Sequence, residues 1–219
     1  MIPISQNEIR SAIGKYAVFH SSKSELAHQL DEMAIPSYLH WNPLVRWIII
    51  ERLKVIHKII LKESDIDALL DFGCGIGLLG VMSFSCCERI YSVDLFIEPA
   101  KLIKEHFHVP NMVPLEATEF HWDDYRNFFD VIVAADVLEH VDDLEGIFDQ
   151  IEASLRPNGL LLLSGPTESW FYGLCRKIAG FTGEYHHRNI YDIENLLSKK
   201  GWSKIRMRSI PWFLPFRAC

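Results

Sequence analysis

The chain has no CxxC pair and only five cysteines, an odd number. That argues against a disulfide framework and a paired-cysteine zinc site, and it fits a reducing compartment. No uncharged apolar run reaches the ~18 residues that a membrane span needs. The opening MIPISQNEIR offers neither a cationic flank nor an apolar core, so no signal peptide is expected and the expected location is cytoplasmic. Positive charge is scarce: 22 Lys and Arg stand against 29 Asp and Glu, for a net charge of -7. General nucleic-acid binders draw affinity from cationic contacts to phosphates, so no nucleic-acid partner is expected. Repeats and low-complexity tracts are missing too. What remains is an ordinary globular composition in 219 residues, enough for one domain that buries roughly 70% of its unfolded surface.

Residues 1–36 are polar and mixed, with room for a short helix. In HWNPLVRWIIIERLKVIHKIILKES, Asn42 can cap a helix that has Pro43 at its first position. Val45, Ile49, Leu53, Ile56 and Ile60 recur at helical spacing, and Trp47 and Ile50 widen that face. From residue 67 the pattern alternates. DALLDFG, RIYSVDL, NMVPLEA, FFDVIVAAD and LLLLSG read as strands. GLLGVMSFSC, EPAKLIKEHF and DDLEGIFDQIEASL read as helices between them, the last capped by Asp142 with Glu145 at the capping-box position. Arg156 to Gly159 reads as a turn. DIENLLSKKG reads as a helix capped by Asp192 and stopped by Gly201, and WSKIRMRSI as a last strand.

Strands that are apolar throughout and alternate with helices predict an α/β, doubly wound, mostly parallel sheet with helices on both faces. The helix over 43–62 is then an N-terminal extension. Residues 1–66 form a helical segment that packs on the core as a lid or cap, and residues 67–219 form the core. The loop 166–188 is too long for an ordinary connection and carries several aromatics, as functional loops do.

In such a sheet the ligand lies beyond the carboxyl ends of the strands. The run LLDFGCGIG places Gly73, Gly75 and Gly77 at the end of the first strand. Glycine costs ~1 kcal/mol relative to alanine in regular structure, so three in five positions imply that a ligand needs bare backbone. A pyrophosphate is unsuited, because Asp71 stands just ahead of the glycines and repels phosphate. That carboxylate suits a cation instead. A second acid, Asp94, ends the next strand 17 residues after Gly77, close to the ~20 expected of an acid that binds ribose hydroxyls. A cation and a ribose without a pyrophosphate describe S-adenosylmethionine.

LLDFGCGIGLLG resembles motif I of the class I S-adenosylmethionine-dependent methyltransferases, and YSVDL, LEATEF, FDVIVAADVLEHVDD and LRPNGLLLLSGP resemble their later motifs, in order. HRNIYDIENLLSKKGW resembles the following helix and strand of small-molecule members, including ubiquinone-type enzymes. The resemblance covers roughly 67–208 and implies a Rossmann-like fold with S-adenosylmethionine as cofactor. It implies Asp71 and Gly73 near the methionine amine, with Cys74, Gly75 and Gly77 lining the ligand. Asp94 would take the ribose hydroxyls, with Leu95 packing on the adenine. Glu116 would accept from the adenine amine, followed by Ala117. Asp136 and Val137 would lie under the sulfonium, with His140 one turn on. Class I members commonly end in two antiparallel strands. Here Pro211 and Pro215 discourage a strand after WSKIRMRSI.

The expected activity is methyl transfer to a small-molecule or amphiphilic, lipid-like acceptor. For an oxygen acceptor His140, or His186 or His187 at the end of the long loop, is the candidate base. An amine or carbanion needs none. No metal is expected, because His186 and His187 lack a third ligand at suitable spacing. The missing NPPY-like tetrad weighs against methylation of base amines. The alternative is a non-catalytic module that docks a partner or a membrane surface. The cations Arg46, Arg52, Lys54, Lys58 and Lys62 of the long helix and the aromatic tail IPWFLPFRAC favour peripheral membrane contact in that reading. The protein is expected as a monomer or homodimer.

Overall fold

The computed structural model describes residues 4–17, 38–166, 190–209 and 216–218. Two helices come first, α1 (Gln6–Ala17) and α2 (Pro43–Ile60). Then follow β1 (Ile66–Phe72), α3 (Leu78–Ser83), β2 (Cys87–Asp94), α4 (Glu98–His106) and β3 (Met112–Glu116). β4 (Phe129–Ala135), α5 (Leu144–Ser154), β5 (Leu155–Pro166) and α6 (Ile190–Lys199) complete the alternation, and β6 (Arg208–Ser209) and β7 (Phe216–Ala218) end it. The sheet has seven strands in the order β3-β2-β1-β4-β5-β7-β6. The first five are parallel, and β7 runs antiparallel to β5 and β6. The order reverses at β1 and β4, so the switch point lies between their carboxyl ends.

Burial on both faces explains the unbroken apolar strands. Leu69, Ile90, Val131, Val133 and Leu162 face a core shared with α1 to α4. Their neighbours Leu70, Tyr91, Ile132 and Leu163 face a second core with α5 and α6. A nest of Phe120, Tyr125, Phe128 and Phe129 packs around Tyr91 on that second side, the Phe120 and Tyr125 rings stacking at 4.8 Å. Asn42 caps α2, its side chain accepting from the Leu44 N–H at 2.9 Å, and Pro43 opens the helix. Ile49, Leu53, Ile56 and Ile60 are buried. Buried His57 meets the Ser83 hydroxyl at 3.1 Å and joins α2 to α3.

Several expected details differ. Trp47 does not join the buried face of α2; it is 44% exposed. The cap of α5 is Asp143, which accepts from the Gly146 N–H at 2.9 Å, because Asp142 stands one residue too early. Residues Arg156 to Gly159 are no free turn: β5 begins at Leu155, and its register with β4 jumps from Phe129↔Leu155 to Val131↔Leu160. A bulge with Asn158 in the left-handed region, φ 67°, absorbs the surplus. Asp192 lies inside α6, not at its cap, whereas Gly201 does adopt φ 89° beyond the helix end. Among the described residues 202–209, only Arg208 and Ser209 are strand, and β7 supplies the antiparallel partner despite Pro215 before it. The loop 166–188, with His186 and His187, lies apart from Pro166 outside the described residues, as does most of the aromatic tail.

Candidate active site

The three glycines adopt left-handed backbone, φ 73°, 56° and 76° at Gly73, Gly75 and Gly77. Gly73 and Cys74 N–H both donate to the Val93 carbonyl, at 2.9 and 3.0 Å, so the loop hangs from the end of β2. A side chain at Gly73 would strike Val137, and one at Gly77 would strike the Met112 methyl and Ala100. The bare backbone is therefore required twice, by conformation and by space.

Asp71 ends β1 beneath this loop, 2% exposed. Its Oδ2 has no hydrogen-bond partner among the described residues. Burial pushes its pKa up to about 7, with the Asp94 charge adding to the rise. Asp94 Oδ2 accepts from the Gly75 N–H at 2.7 Å and Oδ1 from the Phe96 N–H at 3.3 Å. Burial raises its pKa despite these bonds. Leu95 follows, 81% exposed. Glu116 sits beside Asp94 in register, exposed at the end of β3, and the Ala117 N–H donates to the Asp94 carbonyl at 2.8 Å. These residues form one rim along the carboxyl ends of β1, β2 and β3.

Asp136 follows β4 with φ 52°, and its N–H donates to the Ser164 carbonyl at 2.9 Å. Its carboxylate pairs with the Arg52 guanidinium of α2. Val137 lies under Gly73, and His140 stands exposed on a short 3-10 turn. Cys74 is buried, and burial pushes its thiol up, away from the reactive thiolate form.

Three residues of this region were not read as site residues in the sequence: Tyr38, Ser164 and Arg52, the last taken only as a cation of the long helix. Tyr38 is buried, and burial raises the pKa of its hydroxyl, with the Arg52 charge opposing the rise and those of Asp71 and Asp136 adding to it. Arg52 was readable in part, since it falls three residues after Ile49 and four before Ile56, inside the apolar stripe. An arginine in a buried stripe calls for a partner.

A family model described as a methyltransferase domain matches residues 47–210. The chain belongs to this methyltransferase family. Two curated relatives of the chain are ubiquinone biosynthesis O-methyltransferases. That of Nitrobacter winogradskyi is 34% identical over 105 residues, 47% of this chain and 40% of that protein. That of Rhodopseudomonas palustris is 29% identical over 105 residues, 47% of this chain and 41% of that protein. The chain thus spans about two fifths of the length of these relatives. Among solved structures, the N-methyltransferase NodS of Bradyrhizobium japonicum, with S-adenosyl-L-homocysteine, matches at a TM-score of 0.58 and 16% identity, over 97% of this chain and 95% of that one. Magnesium protoporphyrin IX methyltransferase of Synechocystis matches at 0.60 and 15%, with the same coverage. These likenesses show the expected Rossmann-like fold. S-adenosylmethionine is the cofactor of the family, and the donor set fits it: a buried acceptor without a partner among the described residues, a second strand-end acid and a turn whose Gly73 and Gly77 have no room for a Cβ. No helix among the described residues is long and apolar enough to cross a membrane.

Proposed function

We propose that this methyltransferase carries a methyl group from S-adenosylmethionine to a small or amphiphilic acceptor. The observation that carries this reading is Asp71: a buried carboxylate whose Oδ2 has no partner among the described residues, beside a turn whose Gly73 and Gly77 have no room for a side chain. In water-poor surroundings such an oxygen is satisfied by a cationic N–H donor. Asp94, one strand over, is placed for ribose hydroxyls, exposed Leu95 for an adenine face and Glu116 for its amine. Gly73, Cys74, Gly75 and Gly77 line the ligand, with Ala117, Asp136 and Val137 closing its edges.

The bound cofactor supplies a methyl group already activated on a sulfonium. The chain must then fix that group, exclude water and align the acceptor, and orientation of this kind can supply ~7–11 kcal/mol of the barrier. For an oxygen acceptor the proton needs a receiver, and exposed His140 can pass it to water; His186 and His187 are the other candidates. The segment 1–66 acts as a lid on the core 67–219, and the loop 166–188 shapes the acceptor pocket. The docking-module alternative has less support, since Arg46, Arg52 and Lys54 are engaged within the chain.

Calorimetric titration with S-adenosylmethionine and S-adenosylhomocysteine tests the reading. The wild type binds both with micromolar-range affinity, and Asp94→Ala weakens both about a hundredfold, as loss of a charged partner to two hydroxyls implies. Unchanged binding by the variant sinks the ribose assignment. A screen of metabolite extracts with labelled cofactor then identifies the acceptor.

A further inference from the structure

The helix α2 carries a second pattern besides its buried face. Leu44, Trp47, Glu51, Lys54, Lys58 and Leu61 recur at alternating steps of three and four residues, so they form one stripe along the helix. None of the six is buried, whereas Ile49, Leu53, Ile56 and Ile60 are. Leu44 is 55% exposed and Leu61 52%. Leu61 caps the helix in helical backbone, φ -61°, so the stripe runs unbroken to its end. Alternating steps of three and four are the spacing of a seam between two helices.

Reversed, the stripe is its own complement. Lay it antiparallel on a second copy, with the two-fold axis midway between Glu51 and Lys54. Leu44 then meets Leu61, Trp47 meets Lys58, and Glu51 meets Lys54, each pair occurring twice by symmetry. Leucine packs on leucine, an ammonium lies against an indole face, and a carboxylate faces an ammonium. Glu51 and Lys54 already pair within one chain at 3.3 Å, so association joins two pairs into a ring of four alternating charges. A parallel alignment sets Glu51 on Glu51 and each lysine on its own copy. A lipid surface accepts the apolar ends and the lysines but repels Glu51 between them.

We propose that α2 is the interface of a homodimer, packed antiparallel on the α2 of a second copy across this stripe. The inference goes beyond the methyl-transfer reading and needs none of it. Arg52 turns away from the stripe to Asp136, so the same helix serves the site with one side and the partner copy with another. The stripe is about 26 Å long at ~1.5 Å per residue, a seam at the small end of specific interfaces. The expected dissociation constant is on the order of 10 μM.

Sedimentation velocity of the full chain between about 1 and 100 μM tests the proposal. The wild type shows a dimer fraction that rises with concentration. Glu51→Lys and Lys54→Glu each set like charges across the seam, and each alone weakens the dimer at least about thirtyfold. Mixed in equal amounts, these two variants associate again, because every charge pair across the seam is then opposite. Trp47→Ala weakens the dimer about tenfold. The charge variants keep the wild-type affinity for S-adenosylhomocysteine. If Trp47→Ala does not fold, the two charge variants carry the test. A wild type that stays monomeric at the highest concentration overturns the proposal. So does a dimer that survives both reversals, or a mixture that fails to associate. A wild type that floats with phosphatidylcholine–phosphatidylglycerol vesicles without dimerising overturns it in favour of a lipid surface. A wild type that dimerises yet binds no S-adenosylhomocysteine sinks the methyl-donor reading and leaves the interface standing.

Discussion

A Cβ built on Gly73 lies 2.5 Å from the Cβ of Val137. Neither residue can yield easily, because Val137 lies two residues past β4 and Gly73 hangs by its N–H from Val93. At φ 73° a side chain also carries the left-handed penalty of ~1–2 kcal/mol. Gly73→Ala is therefore expected to lose at least about 2 kcal/mol in urea unfolding. Val137→Ala removes the γ-methyls but keeps the Cβ at 2.5 Å, so the double variant recovers little of that loss.

The pH dependence follows from Asp71. Its folded pKa, about 7, lies above its ordinary 3.8, so the folded state binds the extra proton between those values. Stability without ligand thus falls as pH rises from about 4 to about 7, by up to about 4 kcal/mol at ~1.4 kcal/mol per unit. Asp71→Asn flattens that slope. Affinity for S-adenosylhomocysteine moves the other way, rising with pH to a plateau above about 7, because the ligand's ammonium needs the ionised carboxylate. Thermal melts and titrations between pH 5 and pH 9 would show both trends; parallel trends would contradict the assignment.

A control lies in the cap of α5. Asp143→Ala removes the bond to the Gly146 N–H and should cost ~1 kcal/mol of stability. The substitution should leave cofactor affinity unchanged.

At the opposite end of the sheet, Asp130 Oδ2 accepts from the N–H groups of Asp67 and Ala68, at 2.9 and 3.0 Å. Asp130→Ala leaves two strand donors unmatched and is expected to cost about 2–3 kcal/mol. Arg156 pairs with both Asp67 and Asp130 at 2.8 Å from a partly open position. Arg156→Ala should cost no more than about 1 kcal/mol, and less in high salt.

The rim of Asp71, Asp94 and Glu116 was legible because strand-end acids and glycines are local signals: one turn needs them within a few residues. Arg52 and Tyr38 were not, because their roles depend on where α2 crosses the sheet. The chain stretch around Arg52 shows only a basic amphipathic helix, and Asp136 lies 84 residues away. The strand edges failed for a related reason. WSKIRMRSI has strand character, yet of its described residues only Arg208 and Ser209 pair with β7, and strand propensity is largely a matter of neighbours. Two adjacent aspartates offered a cap at residue 142 or 143, and only helix geometry chose between them.

Asp130, Asp67 and Arg156 are each the second residue of their strands, β4, β1 and β5. They bolt the sheet along its lower margin. Thermal breathing must then start from the upper margin, where the strand tips carry the glycine loop. A molecule wedged between those tips stiffens the part of the sheet with most freedom to splay, and amide exchange slowed there, with the bolted margin unchanged, would be its signature.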